Sequence, residues 1–465
     1  MKRLLFMISA VVFTAFASAQ TMTLEQCRQA AVENNKQVEQ SRVEQEKSSH
    51  TVRLYKTNFL PKFDIVAADL YSFGKSDVKI PGGHLPIYTY NDAAGQFVPN
   101  VTMNEDGTYT LNQYADFPAQ KMKFKMDNVF LGGVMFEQPI YMGGKVTAAY
   151  NMSKIGEKIA GLNIRKTASE VIVATDEAYT MVVRAKEMVK VAEAYKTMLD
   201  ELYKNVESAF RHGMRTRNDV LKVQVKQNEV DLSIQKANNA VRLAKMNLCY
   251  YIGRPLDADV DVIATEMNAS SSEPFVADAS LIANRPEYEM LNQKMELARE
   301  QVKLTRSDYL PNVALTGGYT YINGLKLDGK RLIDNGAASA MVTLKFPVFH
   351  FGEGSHKVRI AKAEERLASL ERDDLNNKMT LELTQAANNL NEAIAEVRMT
   401  AKSLEQAEEN VRMSRKQFDV GYETLTDLLE AQSLWQKAYA DDVEARCNLF
   451  LMKSRYMKAA GLLGL

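Results

Sequence analysis

The chain has 465 residues, and its 58 basic residues balance 58 acidic residues, so the formal net charge is +0. This balance lacks the basic surplus expected of a nucleic-acid-binding protein, so no nucleic-acid partner is predicted. After the first twenty residues, no apolar run approaches the ~18 residues that a membrane-spanning helix requires.

The chain begins with a predicted signal peptide, residues 1–19. Lys2 and Arg3 precede an apolar stretch from Leu4 to Phe16, and Ala17-Ser18-Ala19 forms a cleavage site before Gln20. This order is typical of an exported protein. The other interpretation, a true membrane helix, fits less well because the apolar run is short. No cysteine lies at the cleavage site, so a lipid anchor is not indicated.

The residues that usually carry catalysis or bind metals show no pattern here. Cys27, Cys249 and Cys447 are odd in number and far apart, which indicates neither a disulfide framework nor a metal site. The five histidines form no H-E-x-x-H motif, and the chain has no G-x-S-x-G motif or phosphate-binding loop. We predict that the protein is not an enzyme and has no cofactor.

The second half of the chain contains a very long predicted helix, from Glu353 to Asp419. Apolar residues recur at every seventh position, with a second row of mostly small residues three positions later. This repeat predicts one helix with coiled-coil packing, roughly 100 Å long at 1.5 Å per residue. The first row contains Leu383, Leu390, Val397, Leu404, Val411 and Phe418.

An internal duplication supplies a second helix of this kind. An offset of 208 relates Pro139 to Pro347 and Gly213 to Gly421, and an offset of 250 relates Asn34 to Asn284. The first repeat is predicted at 20–253, with a helix at 23–58, strands at 62–71 and 121–137, and a helical hairpin at 145–250. The second is predicted at 278–465, with a helix at 278–308, strands at 312–322 and 339–346, and a hairpin at 353–458. Residues 254–277 are predicted to form an inter-repeat linker or equatorial segment.

The four predicted strands have a period of two and the length of strands that cross a bilayer, although soluble hairpins of a small sheet remain an alternative. Gly, Pro, Asn and Asp in the connections 71–120 and 323–338 predict solvent-exposed loops. Four strands cannot close a barrel, so several chains must contribute; three would supply twelve strands. The apolar face is predicted to contain Phe63, Ile65, Ala67, Phe130, Val134, Phe136, Val313, Leu315, Tyr319, Tyr321, Val342, Leu344 and Phe346.

Together these features resemble the TolC outer-membrane efflux protein family. The resemblance rests on the repeat plan, Asn284-Arg285-Pro286-Glu287, the Leu-Pro before each outer strand, the pairs Pro139/Gly143 and Pro347/Gly352, and the segment 421–432. It implies an α+β membrane protein: a homotrimer with a twelve-stranded transmembrane β-barrel in the outer membrane and a twelve-helix periplasmic tunnel. It also implies a passive exit duct for efflux or type I secretion. The implied partners are a periplasmic adaptor (membrane fusion) protein and an inner-membrane transporter of the RND or ABC type.

The turns of the two hairpins are the candidate site. Gly213 and Gly421 mark these turns, and Thr216 and Thr424 each precede an acid at the third following position, Asp219 and Asp427 respectively. Helix capping is one explanation of these two acids. The resemblance implies a second role, in which Asp427 and Glu430 line the periplasmic constriction as a ring of six carboxylates that favours cations. For Glu430 a solvated charged face is the alternative.

Equivalent positions of the two turns carry opposite charge. Arg211 corresponds to Asp419, and Arg215 corresponds to Glu423. We hypothesise that these residues form contacts between neighbouring turns that hold the tunnel closed, although scattered surface charge would explain the pattern equally well.

Two other classes of protein fit the sequence less well than a channel does. A periplasmic coiled-coil structural or adaptor protein would have one hairpin flanked by all-β domains, whereas this chain has two equal hairpins. A secreted enzyme would need a cluster of catalytic groups, which the sequence lacks.

Overall fold

The structure is a computed structural model of the chain, and it describes residues 20–71, 75–263, 275–327 and 330–463. The predicted signal peptide, 1–19, lies outside the described residues. The chain divides into two compact units. The helical unit contains the described residues within Met1–Arg53, Ala149–Val302 and Val358–Leu465, and the sheet unit contains those within Leu54–Ala148 and Lys303–Lys357.

The helices follow the internal duplication. In each repeat a helix of 67 residues is followed by one of 35 residues. A 3-10 helix at Ala279–Asn284 begins the second repeat. No helix of the described chain is both long and apolar enough to cross a membrane. The α-helices are α1 Leu24–Asn34, α2 Lys36–Thr57, α3 Lys145–Arg211, α4 Arg217–Tyr251, α5 Pro286–Ser307, α6 Glu353–Asp419 and α7 Leu425–Ala459.

The predicted continuous helices 23–58 and 278–308 are wrong, because each is interrupted at one residue. Asn35, between α1 and α2, has an extended backbone, and its side chain donates to the Tyr251 carbonyl at 3.0 Å and accepts from the Gln37 amide at 2.8 Å. Such local bonds compete with the helical backbone bonds. Arg285 is extended at the equivalent position of the second repeat, where the following Pro286 disfavours helical geometry.

One close contact occurs in both repeats. Gly253, just after α4, has a φ of +72°, and a Cβ there would lie 2.6 Å from the Asn34 carbonyl oxygen. Gly461, just after α7, has a φ of +67°, and a Cβ there would lie 2.8 Å from the Asn284 carbonyl carbon. Only glycine fits such a backbone approach in this conformation. Gly253 and Gly461 are related by the offset of 208, and Asn34 and Asn284 by the offset of 250. The same contact therefore occurs between equivalent residues of both repeats, which confirms the duplication.

Four long antiparallel strands form the main sheet, in the order β13-β12-β10-β2, and β3 pairs with an end of β10. In the helical unit, β1 pairs in parallel with β11, which lies within the predicted segment 254–277. The strands are β1 Gln20–Met22, β2 Lys62–Leu70, β3 Lys75–Ile80, β4 Gly83–Pro86, β5 Tyr88–Asn91, β6 Gln96–Pro99, β7 Val101–Met103, β8 Tyr109–Leu111, β9 Tyr114–Phe117, β10 Gln120–Met142, β11 Val260–Val262, β12 Asn312–Leu327 and β13 Lys330–Lys345.

Both predicted loops of the sheet unit need correction. Most of 323–338 belongs to β12 and β13, which stay paired at Asn323 and Asp334 and again at Leu327 and Lys330. Within 71–120, β4 pairs with β9, and between them lie two successive hairpins, β5 with β6 and β7 with β8, all antiparallel. Turn-forming residues in these segments indicated loops, but inter-strand hydrogen bonds override that local preference.

The strand register collects the predicted apolar side chains on one face of the sheet. Ile65 lies opposite Val134, which in turn lies opposite Tyr319 on the next strand. Leu315 lies opposite Val342 in the same way. Because side chains alternate along a strand, neighbouring positions such as Asp64, Met135 and Gly318 form the other face. Many large apolar side chains of the first face are exposed in the single chain, including Phe63, Ile65, Phe130, Val134, Tyr319, Val342 and Leu344.

A buried ion pair links three helices of the helical unit. The Asp176 carboxylate of α3 is fully buried and accepts two hydrogen bonds of 2.7 Å from the Arg28 guanidinium of α1. The Ser454 hydroxyl of α7 donates to the same carboxylate. A buried charge is tolerated only when it is paired and hydrogen-bonded in this way.

We expect Asp176→Ala to destabilise the helical unit. It would leave the Arg28 guanidinium and the Ser454 hydroxyl without their shared acceptor, at a cost of about 3 kcal/mol in the free energy of unfolding. Guanidinium denaturation followed by circular dichroism measures this change.

The matched control is Glu444→Ala, which removes a half-exposed pair with Arg184 at 2.7 Å. Its effect should stay below about 1 kcal/mol. Equal effects of the two substitutions would contradict the assignment of Asp176 as a buried structural anchor.

Candidate gate at the hairpin turns

Both hairpin turns have the same backbone geometry. Gly213 and Gly421 have φ values of +75° and +84°. In the first turn, the Gly213 amide donates to the Phe210 carbonyl and the Met214 amide to the Ala209 carbonyl, both at 2.9 Å. The second turn repeats these bonds at 3.1 Å and 2.9 Å. This is the Schellman ending of a helix, in which glycine allows the left-handed backbone.

A complete capping box begins the helix that follows each turn. The Asp219 amide donates to the Thr216 hydroxyl oxygen, and the Asp219 carboxylate accepts from the Thr216 amide at 3.1 Å. Thr424 and Asp427 form the same pair of bonds, with the carboxylate contact at 3.0 Å. Both aspartates therefore have a clear role in starting α4 and α7.

The capping bonds also change the acidity of these carboxyls. Hydrogen bonds from the Thr424 side chain and backbone hold the pKa of Asp427 below its ordinary value. Partial burial raises the pKa of Asp219, but the bonds from Thr216 and the charges of Lys222 and Arg215 outweigh it and lower the pKa overall. Because the folded pKa values are depressed, this stabilisation is present above the unfolded value near ~4 and is lost as the pH falls through the folded values.

Glu430 differs from the capping aspartates. Its side chain is exposed, three residues after Asp427 on α7, and it forms no hydrogen bond or ion pair with the part of the chain that the structure describes. Lys222 occupies the equivalent position of the first repeat and donates to the Thr426 hydroxyl at 3.4 Å. Glu430 therefore contributes a charge that the fold of one chain does not neutralise directly.

The predicted charge pairs are not formed within a single chain. Arg211 pairs with Glu207 of its own helix at 2.9 Å, and Asp419 has no ion-pair partner among the described residues. The Glu423 carboxylate accepts from the Ser414 hydroxyl of α6. Pairing of Arg211 with Asp419, or of Arg215 with Glu423, between neighbouring chains stays a prediction.

Arg215 makes a contact between the two turns that the sequence analysis missed. Its guanidinium carbon lies 4.4 Å from the centroid of the Phe418 ring, near the end of α6. Arg415 and Glu201 add an ion pair of 2.9 Å between α6 and α3. In the sequence, Phe418 is the last apolar residue of the heptad row in the predicted long helix. No local sequence pattern connects it with Arg215.

The turns rest on an apolar cluster that both repeats share. Val206 and Val223 come from the first hairpin, and Phe418, Leu428 and Trp435 from the second. The two turns are therefore held together within one chain by packing as well as by the Arg215 contact.

No metal or reactive-thiol site accompanies the turns. Among the residues that the structure describes, no three His, Cys, Asp or Glu side chains are grouped to hold a metal. Cys27, Cys249 and Cys447 are buried and form no disulfide with one another, and burial raises the pKa of Cys447 to about 11. A thiol with such a pKa is largely protonated and weakly reactive at neutral pH.

Known proteins resemble this chain over most of its length. The Alkaline protease secretion protein AprF of Pseudomonas aeruginosa is 23% identical over 341 residues, which cover 72% of this chain and 70% of that protein. The Outer membrane protein TolC of Vibrio cholerae is 22% identical over 372 residues, which cover 78% of this chain and 82% of that protein.

A solved structure shares the fold. The CmeC outer membrane channel of Campylobacter jejuni matches with a TM-score of 0.71 and 18% identity, over 94% of this chain and 85% of that chain. The family described as Outer membrane efflux protein matches residues 87–254 and 279–452. The chain therefore belongs to the outer membrane efflux protein family and has its α+β fold with an internal duplication.

Proposed function

We propose that this chain is the outer-membrane exit duct of an efflux or secretion complex. The observation that carries the proposal is the apolar face of the four-stranded sheet, which is exposed in the single chain. Exposed apolar surface of this extent marks a binding or membrane surface in a stable protein. Strands that are apolar on one face and more polar on the other are typical of a barrel wall in lipid.

The open edges of the sheet support a trimer. Strands β2 and β13 lie at opposite edges of the path of four long strands, so each leaves backbone groups unpaired there. Unpaired backbone is costly in lipid, and closure into a barrel removes the edges. Three chains with four long strands each would give a twelve-stranded barrel. The two equal hairpins of each chain would add up to a twelve-helix tunnel.

The protein would act passively with partners that supply energy. The sequence lacks a phosphate-binding loop, and the relative from Pseudomonas aeruginosa is named as a protease secretion protein. We assign this chain to the outer-membrane end of a complex with a periplasmic adaptor and an inner-membrane RND or ABC transporter. A purely periplasmic coiled-coil protein is disfavoured because water would face the apolar side of the sheet.

The hairpin turns would form the closed end of this duct. In a trimer, Asp427 and Glu430 would supply six carboxylates, of which those of Asp427 also cap α7. A ring of exposed carboxylates attracts cations and repels anions. The Arg215–Phe418 contact would hold adjacent turns in the closed arrangement.

The two faces of the sheet can be tested at adjacent residues of β10. Val134 lies on the apolar face and Met135 on the other, and their exposures are similar, 49% and 46%. Val134→Arg should place a charge in lipid and cost about 2–4 kcal/mol near the bilayer centre, whereas Met135→Arg should insert normally. Outer-membrane fractionation with a carbonate wash measures insertion. Equal insertion of both variants would contradict a lipid-facing apolar surface.

The acidic ring can be separated from helix capping. Glu430→Gln removes a charge without touching the capping box, so it should lower the cation preference of channels in a planar bilayer. Thr424→Ala, the control, should weaken the start of α7 by about 1 kcal/mol while leaving the charge and the ion preference unchanged. An unchanged reversal potential in Glu430→Gln under a salt gradient would assign Glu430 to an ordinary solvated surface.

The contact between the turns predicts a change in gating. Arg215→Glu replaces the cation over the Phe418 ring with an anion, at a cost of about 0.5–1 kcal/mol per chain at an exposed site. Three such losses should raise the open probability at rest roughly tenfold to a hundredfold. Arg217→Glu makes the same charge change two residues away and should have little effect. If the resting conductance of Arg215→Glu equals that of the wild type, the Arg215–Phe418 contact does not hold the channel closed.

A further inference from the structure

The segment between β13 and α6 exposes a group of aromatic side chains. Phe349 and Phe351 are 71% and 91% exposed, and Val348 is 82% exposed. The rings of Phe349 and Phe351 contact each other edge to face, with centroids 4.7 Å apart. Two rings with this exposure have little contact with the rest of the described chain.

Phe351 also has an unusual backbone. Its φ is +47°, and among the described residues it is the only non-glycine with a positive φ. The first repeat has Gly143 at the equivalent position, with a φ of +61°, and a Cβ there would lie 2.6 Å from the Ser307 carbonyl oxygen. The left-handed conformation is unfavourable for a bulky residue, and such outliers are typical of functional positions. The second repeat therefore keeps the geometry but adds a projecting ring.

The apolar row of β13 continues into this segment. Val342 and Leu344 belong to the apolar face, and Phe346 and Val348 follow at the same spacing of two after the strand ends at Lys345. Pro347 has no amide hydrogen, so pairing with a strand of a second chain cannot continue regularly through this segment. The surface that covers Val342 is therefore the best candidate to cover Phe349 and Phe351 as well.

We infer that Phe349 and Phe351 insert into the lipid interface at the end of the apolar band and anchor the sheet at that level of the bilayer. This inference rests on the proposed function. Aromatic rings are favoured where acyl chains meet headgroups, and the exposed Lys345 beside them suits the phosphate layer. Phe351 has a strained backbone and an exposed ring. Gly143, at the equivalent position of the first repeat, has no side chain.

Tryptophan fluorescence in vesicles tests this position. Trp435 is the only tryptophan of the chain, so Trp435→Phe gives a background for single reporters. The reporters are Phe351→Trp, Val342→Trp on the apolar face of β13, and Tyr422→Trp at a hairpin turn, where the tyrosine is 88% exposed. The vesicles contain phosphatidylcholine brominated either near the headgroup or near the bilayer centre.

Phe351→Trp should lose roughly half or more of its fluorescence to headgroup-proximal bromine and clearly less to central bromine, as interfacial rings do. Val342→Trp should be quenched by bromolipid, and Tyr422→Trp should not. If Val342→Trp is quenched and Phe351→Trp is not, the proposed lipid anchor is wrong. A blue-shifted emission of Phe351→Trp would then indicate that a second chain covers this position. If neither is quenched, the sheet is not in lipid and the proposed function itself fails. If Trp435→Phe does not fold, the same reporter substitutions are made in the chain that retains Trp435. The quenching of each reporter is then the difference in fluorescence from that parent chain.

Phe351→Gly supplies an independent test. Glycine relieves the positive φ, so the Tm of the protein in detergent should be unchanged or higher if the ring contacts only lipid. A lower Tm would show that the ring packs against protein and would overturn the anchor.

Discussion

The sheet unit has an apolar face that the single chain leaves exposed, and much of the rest of the structure is understandable as a response to it. Burial of such side chains is the main source of stability in proteins, yet Ile65, Val134 and Val342 remain exposed here. Lipid can cover the face, but it cannot satisfy the backbone at β2 and β13. In the proposed duct, chain association would therefore follow from the same constraint as membrane insertion.

The helical unit solves a different problem. A helix of 67 residues cannot bury its surface against itself, so each long helix must pack along other helices. The structure divides this packing into separate clusters: one around α1 and the middle of α3, one around α6 and the end of α7, and one under the turns. Only the last combines residues of both hairpins in large numbers. Within the helical unit, the turns are consequently the place where the two hairpins pack against each other most extensively.

The sequence predicted the features that depend on the spacing of apolar residues and on the positions of glycine. The heptad seams gave the long helices, the alternating residues gave the apolar face, and Gly213 and Gly421 marked turns because a left-handed backbone favours glycine. It failed where distant atoms compete with local preference. Asn35 interrupts a predicted helix through a bond to Tyr251, and most of 323–338 is paired strand although its residues favour turns. The Arg215–Phe418 contact was missed for the same reason, since nothing near either residue signals the other.

The two repeats differ in charge and side chain where they agree in backbone. Both turns have the same Schellman ending and the same capping box, so the geometry of the turn does not distinguish them. Glu430 corresponds to Lys222, Glu423 to Arg215, and Phe351 to Gly143. Residues that maintain a fold must agree in both copies, because both copies adopt it. Differences at exposed positions are free of that requirement, and in the proposed ring of alternating repeats they would give neighbouring elements complementary surfaces. The proposed gate and the proposed membrane anchor would therefore depend on side chains that differ between the repeats, while the backbone that both repeats share stays the same.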